Sequence, residues 1–179
     1  GEILSNLTQH LAKVLDNGSA EVSPRKHPYA VVLSQTCDLD WDFKKATTED
    51  AGCPFLDLMG QQLPSILFCE LVTASELKSR DLKSDVWKRV RQNKDERYQF
   101  LEVAPKDADL LRQGLPETGM DFKRYFTIPT GEVYRAVGSG TTQRRSVLSN
   151  PYAEHLASRF FYFQSRIALP REHDSEPMS

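Results

Sequence analysis

The residues most suited to chemistry in this chain fall into three groups. The first is Ser34-Gln35-Thr36-Cys37-Asp38, at the exit of an apolar run. A strand end presents side chains to solvent, so a thiol beside a carboxylate there is a candidate site. A nucleophilic cysteine needs a neighbouring cation or imidazole, and Asp38 acts the other way on Cys37. The second group is Cys37, Cys53 and Cys69. Their gaps are wide, without the close ligand pairs typical of zinc sites, so no metal is expected and the cysteines read as small buried hydrophobes. Asp38, Asp40 and Asp42 alternate but lack the glycine and terminal glutamate of a calcium loop. The third group is the segment from Lys78 to Arg97, which carries eight basic residues against four acids. Trp87 and Tyr98 are interleaved with Lys88, Arg89, Arg91, Lys94 and Arg97, a pattern suited to phosphate contacts and base stacking. The commoner fate of such a run is a solvated helix face laced with ion pairs.

Several activities are disfavoured by missing motifs. There is no G-x-x-x-x-G-K-[ST], no G-x-G-x-x-G and no H-E-x-x-H, so no nucleotide, dinucleotide or zinc cofactor is expected. Gly138-Ser139-Gly140 runs into Thr141-Thr142 without a lysine and reads as a loop.

The elements that must position these residues are mostly strands. Gly1 to Leu7 reads as an opening strand and Asp16-Asn17-Gly18-Ser19 as a turn. The β-branched run Tyr29 to Thr36 and the run Pro64 to Thr73 are the strongest strands. Ser75 and Ser84 are candidate caps of two short helices. Tyr98 to Val103, Met120 to Pro129 and Arg144 to Leu148 read as further strands. The best helix follows Asn150 and Pro151, with Tyr152, Leu156, Phe160, Phe163 and Ile167 as its core stripe, widened by Phe161. The acidic stretch 38–62 reads as a long loop and 171–179 as a polar tail. The order of elements predicts one α+β domain over 1–170, with a small curved antiparallel sheet, inserted helices and a C-terminal helix.

The chain has 179 residues, 23 basic and 25 acidic, for a net charge of −2. That length supports a core without disulfides. The near-neutral total excludes a wholly basic nucleic-acid coat, though not a local basic face. No apolar run is long enough to span a bilayer, no signal segment precedes the first strand, and three widely spaced cysteines fit a reducing compartment. A cytoplasmic protein without a membrane partner is the expectation.

The order of elements also resembles the MazF/PemK-type toxin family. Gly1-Glu2-Ile3 stands where that family opens. Arg25-Lys26-His27-Pro28-Tyr29, leading into Ala30-Val31-Val32-Leu33-Ser34, is similar to its Arg-Pro step and following strand. Phe68-Cys69-Glu70-Leu71-Val72-Thr73 is similar to the strand that ends in its catalytic threonine, and Asp121-Phe122-Lys123-Arg124 stands near its later Asp-containing strand. The resemblance covers about the first 130 residues. Here Arg25 is separated from Pro28, so the family's arginine role falls on Arg25 or on His27. The Ser-Gln-Thr-Cys-Asp-Leu phrase and the C-terminal helix lie outside the toxin pattern and resemble an uncharacterised bacterial family.

The resemblance implies an SH3-like β-barrel and metal-independent RNA cleavage. In it a ribose 2′-hydroxyl attacks the adjacent phosphate, with Arg25 or His27 as acid–base and cation, and Thr73 as phosphate donor. RNA is then the partner, with an antitoxin-like chain as a second. The competing expectation is a non-catalytic interaction or nucleic-acid-binding module of a bacterial defence or regulatory system. A cysteine enzyme using Cys37 and Asp38 is a third. Exposed edge strands would suit a homodimer.

Overall fold

The computed structural model describes residues 1–35, 38–40, 63–80 and 82–166. Seven strands are β1 (Glu2–Val14), β2 (Ala20–Val32), β3 (Ser65–Thr73), β4 (Tyr98–Leu101), β5 (Thr118–Asp121), β6 (Tyr125–Pro129) and β7 (Gln143–Val147). Among the described residues the helices are α1 (Ala74–Ser79), α2 (Ser84–Arg91), α3 (Thr130–Gly138) and α4 (Tyr152–Gln164), with a 3-10 turn at Lys106–Ala108 and a short helical stretch at 38–40. Every ladder is antiparallel, in the order β4-β5-β3-β2-β1-β7, and β6 also pairs with β3. The fold is α+β, as the order of elements predicts. The sheet is not closed: β1 and β6 share no ladder, although the Gln9 amide donates to the Thr127 carbonyl at 3.4 Å. None of the described helices is long and apolar enough to cross a membrane.

Strand β3 is the centre because its alternate side chains feed both faces. Cys69 and Leu71 enter a core with Ile3, Val31 and Phe122, closed by Leu156, Phe160 and Phe163 of α4. Ile66 and Phe68 enter a second core with Leu4, Leu7, Ala30 and Ile128, closed by Val133 of α3. A third, around Leu77, Val90 and Phe100, seats α1 and α2 beside β4.

Several elements differ from expectation, each for a physical reason. The first two strands form one long antiparallel ribbon, in register from Ile3↔Val31 to Val14↔Ala20. Its outer part, with Leu11, Val14 and Val22 exposed, gives no buried alternation for a sequence pattern to reveal. The segment 120–129 is two strands, not one. Asp121 accepts from the Lys123 amide at 3.0 Å and the Arg124 amide bonds the Asp121 carbonyl at 2.7 Å, so the chain turns there. Thr73, not Ser75, caps α1, Ser84 lies inside α2, and α3 was not expected at all. In the C-terminal helix Leu156, Phe160 and Phe163 are buried as expected, but Tyr152 and Phe161 are 65% and 51% exposed. Ile167, the tail 171–179 and most of the acidic stretch 38–62 lie outside the described residues.

Alternation breaks at one place in the ribbon. Leu4 and Leu7 are three residues apart, yet both face the second core. Asn6 between them has φ 59, a left-handed conformation that asparagine tolerates better than most residues. Pro28 lies across from it, between Tyr29 and His27. The break turns His27, cross-strand partner of Leu7, toward the same side.

Candidate functional site

His27 of β2, Glu70 of β3, Arg80 just after α1 and Arg124 in the turn between β5 and β6 meet around the Glu70 carboxylate. The His27 ring is 2% exposed and stacks on Phe126 with 3.9 Å between centroids and 9° between planes. Its Nε2 lies 3.3 Å from Gln9 Oε1, and its Nδ1 lies 3.8 Å from Glu70 Oε1. Nδ1 has no hydrogen-bond partner among the described residues. Glu70 projects from the middle of β3 with its side chain 12% exposed. The Arg124 Nη1 donates to Glu70 Oε2 at 3.1 Å, and Arg80 Nη2 stands 3.6 Å from the same oxygen. Arg80 follows α1, and its guanidinium also reaches Glu76 at 3.0 Å.

This surrounding holds the Glu70 carboxyl at a pKa of about 2, through His27 first and then Arg124 and Arg80, against the opposing effect of burial. At 3.8 Å the His27 contact is longer than a hydrogen bond, whereas Arg124 donates to the carboxylate directly. A carboxylate this acidic is a poor proton acceptor at neutral pH. His27 is shielded from any substrate. The arginines are not: their side chains are 26% and 43% exposed. Arg80 and Arg124 stand against two carboxylates, Glu70 and the more exposed Glu76, so the suitability of this surface for an anion rests on the planar guanidiniums, whose geometry matches phosphate, and not on an excess of charge.

The sequence-derived site residues are distributed as follows. Arg25 is exposed on the ribbon, opposite Gln9. Thr73 caps α1, accepting from the Glu76 amide at 3.2 Å, with Ser75 Oγ at 3.0 Å. The last β2–β3 pair is Tyr29↔Leu71, so His27 and Thr73 each lie two residues beyond it, at the same end of the two strands. Cys37 lies outside the described residues, and Asp38 is exposed in a helical stretch at 38–40. Cys69 is fully buried, and burial, with Asp121 and Glu70 nearby, pushes its thiol pKa far up. It packs as a small hydrophobe.

The basic segment around α2 is largely engaged within the molecule. Arg89 reaches Asp85 at 3.6 Å and Asp95 at 3.8 Å, and Arg91 reaches Glu117 at 3.2 Å above the Phe100 ring. Arg97 makes a two-pronged contact with Asp121, its Nε donating at 2.8 Å, over the Tyr98 ring. Trp87 packs edge-on against Phe100 and is half-buried. Lys88 and Lys94 are exposed.

Glu70, Arg80 and Arg124 were not singled out as site residues in the sequence. The available signal was Glu70 itself, a lone charge inside the apolar run Ile66 to Val72, since a half-buried carboxylate in a central strand requires cationic partners. No family model, curated protein or solved structure matches the chain.

Proposed function

We propose that the chain is an RNA-binding module of toxin-like ancestry, built on a rolled SH3-like sheet, that holds the phosphodiester backbone of a single strand at Arg80 and Arg124. The observation that carries this reading is the convergence of two part-exposed guanidiniums, Arg80 and Arg124, at Glu70, with Glu76 on the outer side of Arg80. The contact from Gln9 to Thr127, bringing β1 to β6, supports the rolled sheet. The shielding of His27 favours binding over cleavage.

The test is fluorescence anisotropy of a labelled mixed-sequence RNA across a salt series. Each phosphate contact on a single strand adds roughly 0.7 to the slope of log K against log salt. Changing both Arg80→Ala and Arg124→Ala should flatten that slope by about 1 and weaken binding. An unchanged slope in a folded double variant refutes the reading.

A ribonuclease is the second reading, favoured by the His27 imidazole standing 3.8 Å from Glu70 at the end of β3 that carries Thr73. It predicts cleavage of RNA to 2′,3′-cyclic ends in EDTA, lost in a folded Thr73→Ala variant. No cleavage at micromolar protein would dismiss it.

A further inference from the structure

A cleft of about 380 Å³ opens between β1 and α3. Its floor is apolar: Leu7, Ile128 and Val133 line it and are all buried in the second core. Its polar groups are placed in order along α3. Glu132 lines one part, its Oε2 3.4 Å from His10 Nδ1. Arg135 follows one helical turn on, and Ser139 Oγ, 2.9 Å from Thr141 Oγ1, closes the end. The cleft connects through shared strands to His27, which stands beside Glu70. Leu7 is the cross-strand partner of His27, and Ile128 lies two residues along β6 from Phe126, on which His27 stacks.

An apolar floor with a few convergent polar groups is the usual make-up of a small-ligand pocket, and this volume admits a planar heterocycle. The order of polar groups selects among heterocycles. Residues three apart on a helix hold their side chains roughly 5–6 Å apart at Cβ. Guanine carries, along one continuous edge, the donors N2–H and N1–H and then the acceptors O6 and N7. A carboxylate at Glu132 accepts from the two donors, and a guanidinium at Arg135 donates to the two acceptors, the commonest specific contact to this base. Adenine presents its N1 lone pair to Glu132 and an amino group to Arg135, and keeps only the N7 acceptor of the pattern. Cytosine and uracil lack both the N7 acceptor and the adjacent amino and imino donors.

We infer that this cleft binds an unstacked guanine base, reading it with Glu132 and Arg135, and that it gives the RNA-binding surface a preference for guanine. The second clause rests on the RNA reading above; the first does not. His10 positions the Glu132 carboxylate, and the floor takes the face of the ring.

The test is isothermal titration of the full chain with 5′-GMP and with 5′-AMP, which share their phosphate and differ in the base. GMP should bind saturably and AMP at least tenfold more weakly. Glu132→Gln and Arg135→Ala, each checked for an unchanged circular dichroism spectrum, should weaken GMP at least tenfold and leave AMP as it was. Equal binding of the two nucleotides, no binding of either, or GMP affinity untouched by Glu132→Gln would overturn the inference. Anisotropy with a G-containing and a G-free oligoribonucleotide separates the two proposals. Binding of both strands alike, with no GMP selectivity, overturns the cleft assignment and leaves the RNA reading. Selective GMP binding with no RNA affinity at low salt upholds the cleft and overturns the RNA reading.

Discussion

Replacing Glu70 by glutamine should move stability and RNA affinity in opposite directions. The carboxylate is held at a pKa of about 2, against an ordinary value of 4.5, by His27, Arg124 and Arg80. At about 1.4 kcal/mol for each pKa unit, the folded state favours the ionised form by up to ~3 kcal/mol. The arginines are partly solvated, which lowers the loss expected in Glu70→Gln to about 1–2 kcal/mol. A phosphate seated on Arg80 and Arg124 would sit close to the same carboxylate. At an effective dielectric of about 20, two negative charges about 5 Å apart repel by roughly 2 kcal/mol after screening. Removing one should tighten RNA binding about twentyfold. Urea unfolding followed by tryptophan fluorescence reads the first effect, and anisotropy at two salt concentrations reads the second. The gain in affinity should shrink at the higher salt. A variant that loses stability and binds RNA no more tightly would show that the arginines serve the fold alone. That result would refute the assignment of this cluster as a binding surface.

Three further outcomes follow from the same contacts. Asp109→Asn should cost about 3–5 kcal/mol in urea unfolding, because Arg145, 5% exposed and held by Asp109 at 2.9 and 2.7 Å, is left as an unpaired buried charge. The paired change Asp109→Leu with Arg145→Met should recover most of that loss, and no recovery would mean that the caps from Asp109 to the Leu111, Gln113 and Gly114 amides matter more than the charge. Acid should expose the Glu70 network: its folded pKa lies below its unfolded one, so its contribution is complete above pH 4.5 and drains as pH falls toward 2. Glu70→Gln should therefore show a shallower acid limb than the parent in thermal melts across that window. Thr73→Ala should lose the cap on α1 and about 1 kcal/mol of stability, measured by urea unfolding, and an unchanged midpoint would mean that α1 is held by Leu77 alone.

What was legible in the sequence was whatever buries itself in a regular period. The Ala30 to Leu33 and Ile66 to Val72 runs declared two strands because both faces of the sheet are covered there. The Leu156, Phe160 and Phe163 steps declared α4 for the same reason. Helix α3 was illegible because it starts with Thr130 and Gly131, weak helix formers, and lacks a side-chain cap at Pro129. Its anchor is a tertiary hydrogen bond from the Thr130 hydroxyl to the Leu63 carbonyl, invisible to local pattern. The basic run at α2 was legible as charge, and Asp85 and Asp95, which engage Arg89, lie within it, but Glu117 and Asp121, which engage Arg91 and Arg97, arrive from the strand pairing of β4, β5 and β3. The candidate site was half legible. His27 and Thr73 were reached through a resemblance, whereas Arg80 and Arg124 meet Glu70 only after β3 has acquired neighbours on both edges.

One irregularity links the two surfaces. A regular ribbon would place Leu7 and His27 on the side of Ile3 and Val31, within the core that α4 closes. The left-handed Asn6, opposite Pro28, instead turns both toward Phe126 and Ile128. The same step puts His27 against Glu70 and Leu7 in the floor of the cleft. Beyond it the Thr142 hydroxyl donates to the Asn6 carbonyl at 3.2 Å, pinning the cleft's far wall to the kink. His27, which stands against Glu70, and the floor of the cleft are therefore positioned by one local conformation. A disturbance at Asn6 should reach both surfaces at once, whereas Arg124 and Glu132, on separate elements, should act on phosphate and base independently.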